Sequence, residues 1–323
     1  MPTSLPADLP RLPVRAEDSH KGIFGTVAII AGRAGHDTRM LGAGALAATA
    51  ALRAGAGLAK LVMPAPILDA ALTICPSATG IPLRVDHDGD IVPHESAETL
   101  DSVLESATAI AIGPGLGVSA GSAAAVLRII QQEELPVVID ADALNAMAQM
   151  PDLFRDFRAA AVLTPHPGEF KRLCSGLGLK NDLGLADSRE SACTALAQRL
   201  GRIVVLKGAH TVVSDGQRTW TNTSGHPCMA TAGTGDVLTG LLASLIAQFC
   251  PPVPQMLMRT RARQMPADPA RPLDLFDAAR IAVWAHGAAG ELWAAQHHAG
   301  AGMLALELAD LLPTAIERAR KTP

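Results

Sequence analysis

The chain has 323 residues, of which 49% are hydrophobic and 18% charged, with a formal net charge of −4. That composition predicts a globular α/β protein long enough to bury a sizeable core without metal or disulfide staples. With 27 Lys and Arg against 31 Asp and Glu, three Trp, six Phe and no Tyr, the basic footprint and base-stacking platforms of a nucleic-acid binder are missing, and no nucleic-acid partner is expected.

The first residues carry prolines and acids where a secretory signal needs an apolar segment, and no run of 18 uninterrupted apolar residues occurs. The expectation is a cytoplasmic protein with no membrane partner. Cys75, Cys174, Cys193, Cys228 and Cys250 show neither CxxC nor zinc spacing, and they read as reduced thiols acting as small apolar residues. Residues 1–19 read as an N-terminal extension and 20–323 as one domain.

Short aliphatic runs alternate with Ala- and Leu-rich stretches, which predicts βαβ units around a mostly parallel, buried central sheet flanked by helices. The first strand is expected at Thr26–Ile30 and a helix near 41–54. That helix contains Gly42-Ala43-Gly44-Ala45-Leu46-Ala47, a match to the dinucleotide fingerprint. It fails on context, because it begins a dozen residues after its strand and no acid stands at the end of the next one, Ala59–Met63.

The strand Ala109–Ile112 leads into Gly113-Pro114-Gly115-Leu116-Gly117, where glycines bring bare backbone close to a ligand. A helix near 119–132 follows. Next, strand Pro136–Asp140 ends in Asp140-Ala141-Asp142 before a helix at 142–149, and strand Ala161–Thr164 runs into Thr164-Pro165-His166-Pro167-Gly168-Glu169. Ligands of open α/β sheets bind at this carboxyl edge. Asp140, Asp142 and Glu169 are candidates to hold Mg²⁺, Asp140 and Glu169 foremost, although each alone also serves as a cap or turn former.

After a helix at 187–200, strand Ile203–Leu206 is followed by Lys207-Gly208-Ala209-His210-Thr211, an ammonium and small residues suited to approach a nucleotide. Residues 211–223 then predict a hairpin turning at Asp215-Gly216. The sharpest local signal is Ala230-Thr231-Ala232-Gly233-Thr234-Gly235-Asp236 running into a helix at 235–249. A glycine-rich turn at a helix N-terminus exposes unpaired N–H groups at the positive end of the helix dipole, so Gly233, Thr234 and Gly235 form a candidate anion hole. An acid beside a bound phosphate is costly unless it removes a proton, which makes Asp236 the candidate general base. The plainer alternative is that Asp236 caps the helix.

The segment 251–273, rich in proline and arginine, reads as an exposed insertion. In the last long helix, near 275–296, His286 and His297 share a face three turns apart, which predicts packing over metal binding. There is no GxxxxGK[ST] pattern, so a P-loop does not hold the phosphate.

The ordered motifs HKGIFGTVAIIAG, LGAGALAATAALRAGAGLAKL, GPGLG, VVIDADALNA, LTPHPGEF, VLKGAHT, MATAGTGDVLTG, HGAAGELWA and LELADLLP, spread from His20 to Ile316, resemble those of the ADP/ATP-dependent NAD(P)H-hydrate dehydratases, a ribokinase-like family. The resemblance implies a ribokinase-like three-layer sandwich and nucleotide contacts at Lys207, Gly208, Ala209, His210, Thr211 and Gly235. It further implies contacts to the hydrated cofactor at Ala43, Gly115, Gly117, His166 and Asp236. The implied reaction restores NADH or NADPH from the S epimer of its hydrate: ADP, favoured over ATP, phosphorylates the ring hydroxyl, and phosphate is then eliminated with Mg²⁺ as cofactor. A homotetramer and a separate epimerase as pathway partner are implied as well, since the often-fused epimerase domain is not expected in this chain.

Departures from the family pattern are Ala31-Gly32-Arg33 for Gly-Gly-Ser, Met40 for an aromatic residue, Cys228 for a glycine and Ala232 for a glycine. The competing readings are a ribokinase-like kinase of a small alcohol, using the same base, and a catalytically dead nucleotide sensor, which the retained base and glycines disfavour.

Overall fold

The computed structural model describes residues 4–150, 152–180, 186–253 and 271–320. The strands are β1 Thr26–Ile30, β2 Arg33–Ala34, β3 Arg39–Met40, β4 Leu58–Pro64, β5 Thr79–Leu83, β6 Ala109–Ile112, β7 Val137–Ile139, β8 Ala161–Leu163, β9 Ile203–Leu206, β10 Val212–Ser214 and β11 Thr219–Thr221. The helices are α1 Gly42–Arg53, α2 Ala65–Ile74, α3 Pro93–Ser106, α4 Ala120–Gln131, α5 Ala141–Met147, α6 Leu153–Asp156, α7 Pro167–Gly176, α8 Ala186–Leu200, α9 Thr234–Phe249, α10 Leu275–His297 and α11 Ala305–Arg320.

A nine-stranded sheet runs in the order β11-β10-β9-β8-β7-β6-β1-β4-β5. Neighbours from β9 to β5 are parallel, and only the β10 and β11 pairings are antiparallel. Period-two alternation sends Val27 and Ile29 into one core and Ala28 and Ile30 into the other. One core is closed by α1, α9, α10 and α11, the other by α3, α4, α5, α7 and α8. Burial on both faces is why these strands read as unbroken apolar runs. The hairpin is present, with the Asp215 carboxylate accepting from the Gln217 and Arg218 amides across its turn.

Close packing of α1 on α9 follows from small residues. A Cβ on Gly240 would stand 2.0 Å from the Ala47 carbonyl oxygen. Backbone cannot yield as a side-chain tip can, so Gly240→Ala is expected to cost about 2 kcal/mol net of its helix-propensity gain. An unchanged urea midpoint would contradict this packing.

Elements beyond those expected are β5, whose Pro82 suits an edge strand, together with α2, α3, α6, α7, α11 and the two-residue strands β2 and β3. Residues 4–19 are no detached extension. Leu9 and Leu12 are buried in the core, the Leu12 amide donates to the Ala319 carbonyl and the Trp284 indole N–H to the Ser4 carbonyl. Of the expected loop 251–273, residues 254–270 lie outside the described residues. Its described ends are not exposed throughout: Val253 and Leu273 are buried, and the Leu273 amide donates to the Phe249 carbonyl. The five cysteines are buried and unpaired. Among the described residues, no helix is long and apolar enough to cross a membrane.

Candidate active site

Because β6, β7, β8 and β9 are adjacent and parallel, the loops after them, carrying Gly113–Gly117, Asp140, Thr164–Glu169 and Lys207–Thr211, open on one edge of the sheet. The turn before α9 meets them there. Gly233, at φ +90°, is the residue preceding the helix, so Asp236 lies inside the first turn and is not its cap. A Cβ on Gly233 would lie 2.7 Å from Leu46 Cδ1 and 2.8 Å from Ala305 Cβ; only glycine fits between α1 and α11 in this left-handed conformation. The Thr234 hydroxyl is within 3.1 Å of the Met229 and Thr231 carbonyls, which closes the turn. The first-turn N–H groups of α9 then have no intrahelical acceptor.

Lys207 organises the charges. Its Nζ donates to Asp140 Oδ1 at 2.6 Å and stands 4.0 Å from Glu169 Oε2. The other Asp140 oxygen accepts from the Thr239 hydroxyl at 2.7 Å. Burial alone would depress the Lys207 ammonium, but Asp140, Glu169 and Asp236 together carry it above its ordinary value. Asp236 is pushed up to about 7, chiefly by burial and then by Asp140, against the opposing pull of Lys207. Glu169 is likewise raised to about 7 by burial. Two carboxyls poised near neutrality at one strand edge form the kind of pair that marks a functional site.

Of the residues expected to hold Mg²⁺, Asp140 has the Lys207 ammonium on one carboxylate oxygen and the Thr239 hydroxyl on the other. Asp142 clamps a loop, accepting from the Gly117 amide at 2.8 Å. Among the described residues, the three metal-type ligands that converge are the exposed Asp86, His87 and Asp88.

A cleft of about 700 Å³ opens beside the cluster, lined by Lys207–Thr211, Thr234 and Gly235. His166 lines it too, on the same side as the expected nucleotide contacts. Its Nδ1 accepts from the Gly168 amide and its own amide donates to Glu169, an N-terminal capping box for α7. Burial and the nearby Lys207 hold its imidazole below the ordinary value, hence neutral.

Across the turn, Ala43 and Gly115 come together with Met40: a Cβ on Gly115 would sit 2.9 Å from Met40 Cβ and 3.3 Å from Ala43 Cβ. Gly117 stands against Arg33, whose Cδ would be 2.7 Å from an added Cβ. Two departures from the family motif thus border the expected substrate contacts. Cys228 is buried with its Sγ 3.4 Å from the Gly290 carbonyl, and Ala232 is exposed.

The family model described as NAD(P)H-hydrate dehydratase matches residues 27–314. The chain belongs to the NAD(P)H-hydrate dehydratase family. It is 36% identical over 306 residues to the bifunctional NAD(P)H-hydrate repair enzyme of Salinibacter ruber, covering 93% of this chain and 50% of that protein. With the enzyme of the same description from Thermofilum pendens it shares 32% identity over 312 residues, 96% of this chain and 53% of that one. The chain thus spans about half the length of these curated relatives. An ADP/ATP-dependent NAD(P)H-hydrate dehydratase from Bacillus subtilis, co-crystallised with ATP and Mg²⁺, superposes with a TM-score of 0.71 at 28% identity, covering 97% of this chain and all of that one. The dehydratase-family fold is ribokinase-like, a mostly parallel sheet between helical layers, as expected.

In this family member the far wall of the cleft, Asn222–His226 with Met229 and His286, is where sequence reasoning fell short. The wall lies against α10, where a Cβ on Gly287 would strike Ser224 Oγ at 2.3 Å and one on Gly290 would strike Met229 Sδ. The Ser224 hydroxyl donates to the Trp284 carbonyl at 2.9 Å. His286, assigned to packing, holds Nε2 2.8 Å from the Thr234 carbonyl; burial lowers its ring to about 4, so a neutral N–H donates to the turn that opens α9. The spacing of Gly287 and Gly290 was the available signal for a segment laid on this helix. His297 stacks on Trp293 with ring centroids 4.3 Å apart.

Proposed function

We propose that the protein dehydrates the S epimer of hydrated NADH or NADPH at the cost of ADP, or less readily ATP. The observation that carries this reading is Asp236: a carboxyl raised to about 7 within the field of Lys207, in the first turn of α9 next to Gly235, which lines the cleft. Lys207, Gly208, Ala209, His210, Thr211 and Gly235 bind the nucleotide, with its terminal phosphate at the N–H groups of Gly233, Thr234 and Gly235. Ala43, Gly115, Gly117 and His166 hold the hydrated cofactor.

Asp236 takes the proton of the ring hydroxyl as that oxygen attacks the terminal phosphorus and the bond to the nucleotide's leaving phosphate breaks. The new phosphate ester then leaves as inorganic phosphate while the neighbouring carbon loses a proton, restoring the ring double bond. Phosphate leaves where hydroxide does not. The anion turn and Lys207 stabilise the charge gathering on the transferring oxygens.

The charge balance suits a divalent cation: three carboxyls, Asp140, Glu169 and Asp236, act on one ammonium, leaving excess negative charge when all ionise. Glu169, together with nucleotide phosphates and water, would hold Mg²⁺, which supplies charge neutralisation. The homotetramer, the cytoplasmic location and a separate epimerase belong to this proposal through the family resemblance.

The test mixes purified protein with hydrated NADH, Mg²⁺ and either ADP or ATP, and follows return of the reduced-nicotinamide absorbance. Recovery with ADP exceeding that with ATP is expected. No recovery with either, from folded protein that binds nucleotide, would transfer the assignment to a small-alcohol kinase.

A further inference from the structure

We infer that Thr239 and Asp140 are positioning residues, which fix the Lys207 ammonium against the first turn of α9 so that one bound phosphate meets both. The inference rests on the nucleotide reading of this cleft and assigns a part to two residues that touch no ligand in it.

An ammonium at a helix N-terminus is in an unfavourable place, since the dipole there is positive. Yet Lys207 Nζ stands 3.5 Å from where a Cβ on Gly235 would be. Its attraction to Asp140 at 2.6 Å, with Glu169 at 4.0 Å, overcomes that repulsion. Two positive features held side by side gain from an anion placed between them, which is the geometry of a phosphate site.

Asp140 is in turn fixed from the helix that it serves. Thr239 lies one turn beyond Gly235 on α9, and its hydroxyl donates to Asp140 Oδ2 at 2.7 Å while lying 3.2 Å from the Gly235 carbonyl. Thr239 is fully buried and Asp140 nearly so. The chain Thr239–Asp140–Lys207 therefore ties the ammonium to the same turn whose N–H groups hold the phosphate, with no tether through solvent. Immediately after Asp140, Ala141 adopts φ +50°, a left-handed conformation that costs a non-glycine residue about 1–2 kcal/mol. Packing holds that strain here, as it does at sites where geometry matters more than local stability.

The test compares Thr239→Val, which keeps the shape and removes the hydroxyl, with Thr239→Ser, which restores it. The readouts are binding of ADP and of adenosine, and the steady-state split between kcat and KM. In Thr239→Val, ADP affinity is expected to fall about tenfold, the worth of one charge-assisted hydrogen bond. Adenosine affinity stays unchanged, kcat falls, and the KM for hydrated cofactor holds. Thr239→Ser recovers most of the loss. Should Thr239→Val not fold, Asp140→Asn serves, with the same selective loss of ADP over adenosine expected. Equal loss of ADP and adenosine, equal impairment of the Val and Ser variants, or wild-type behaviour of the Val variant would each overturn the inference. Wild-type protein that binds ADP but restores no NADH would instead overturn the dehydratase reading and leave the ADP-versus-adenosine arm decisive for this one.

Discussion

Asp236→Asn is expected to lower kcat by about 10²–10⁴, the range for a positioned acid–base group, while binding nucleotide as the wild type does. The same substitution is expected to stabilise the fold at pH 8. The folded protein raises the Asp236 carboxyl from its ordinary 3.8 to about 7, so the native state favours the protonated form. The stability this contributes is complete below about pH 4, declines as pH rises towards 7, and above that the ionised carboxylate is a net burden. That rise corresponds to about 4 kcal/mol at most. Because Asp140, Glu169 and Lys207 share the field, a gain of roughly 2–4 kcal/mol at pH 8 and little near pH 4 is expected from urea denaturation. Equal gains at both pH values would contradict the buried carboxylate, and wild-type turnover would contradict the base. In the wild type, kcat/KM is expected to rise with pH through about 7. Glu169 titrates in the same range beside the same ammonium, so that limb reports the coupled pair and not one residue.

Lys207→Met is expected to cost roughly 3–5 kcal/mol of stability, because it leaves the buried Asp140 carboxylate without its cation. Asp140 is 1% exposed and, among the described residues, its carboxylate keeps the Thr239 hydroxyl as a hydrogen-bond partner. Combining Lys207→Met with Asp140→Asn removes the stranded charge and is expected to recover more than half of that loss in denaturant titration, although ADP binding stays weak. If the double variant is no more stable than the single, the loss is one of packing and the charge argument fails. If Lys207→Met binds ADP as the wild type does, the ammonium has no part in holding phosphate.

Local signals are enough for the β1, β6, β9 and hairpin strands, because their aliphatic runs are buried on both faces or bounded by turn residues. Boundaries differ by a residue or two where strands run into functional loops: the apolar runs extend to Asp140 and Thr164, which stand just beyond β7 and β8. The helix α3 escapes a sequence reading because its residues, PHESAETLDSVLES, are mostly polar, burying Leu100 and Val103 with little else of size. Likewise β5, TGIPL, contains both Gly and Pro and is a strand only because β4 supplies its hydrogen-bond partner. The surroundings of Asp140 escape a sequence reading for a related reason. Its partners Lys207 and Thr239 are 67 and 99 residues away, and no local pattern announces a pairing at that separation.

What the sequence determined unaided was therefore the class of fold, the family and the glycine-rich turn before α9, since each is written in contiguous residues whose backbone conformation follows from local sterics and dipoles. The tertiary structure alone decided which groups share a charge: that Lys207 lies between Asp140 and Glu169, that Thr239 reaches the same carboxylate, that His286 bonds to the Thr234 carbonyl, and that Asn222–His226 wall the cleft. Protonation and positioning depend on distances of a few ångströms between elements brought together by folding, and those distances exist only once the sheet has set its strands in order.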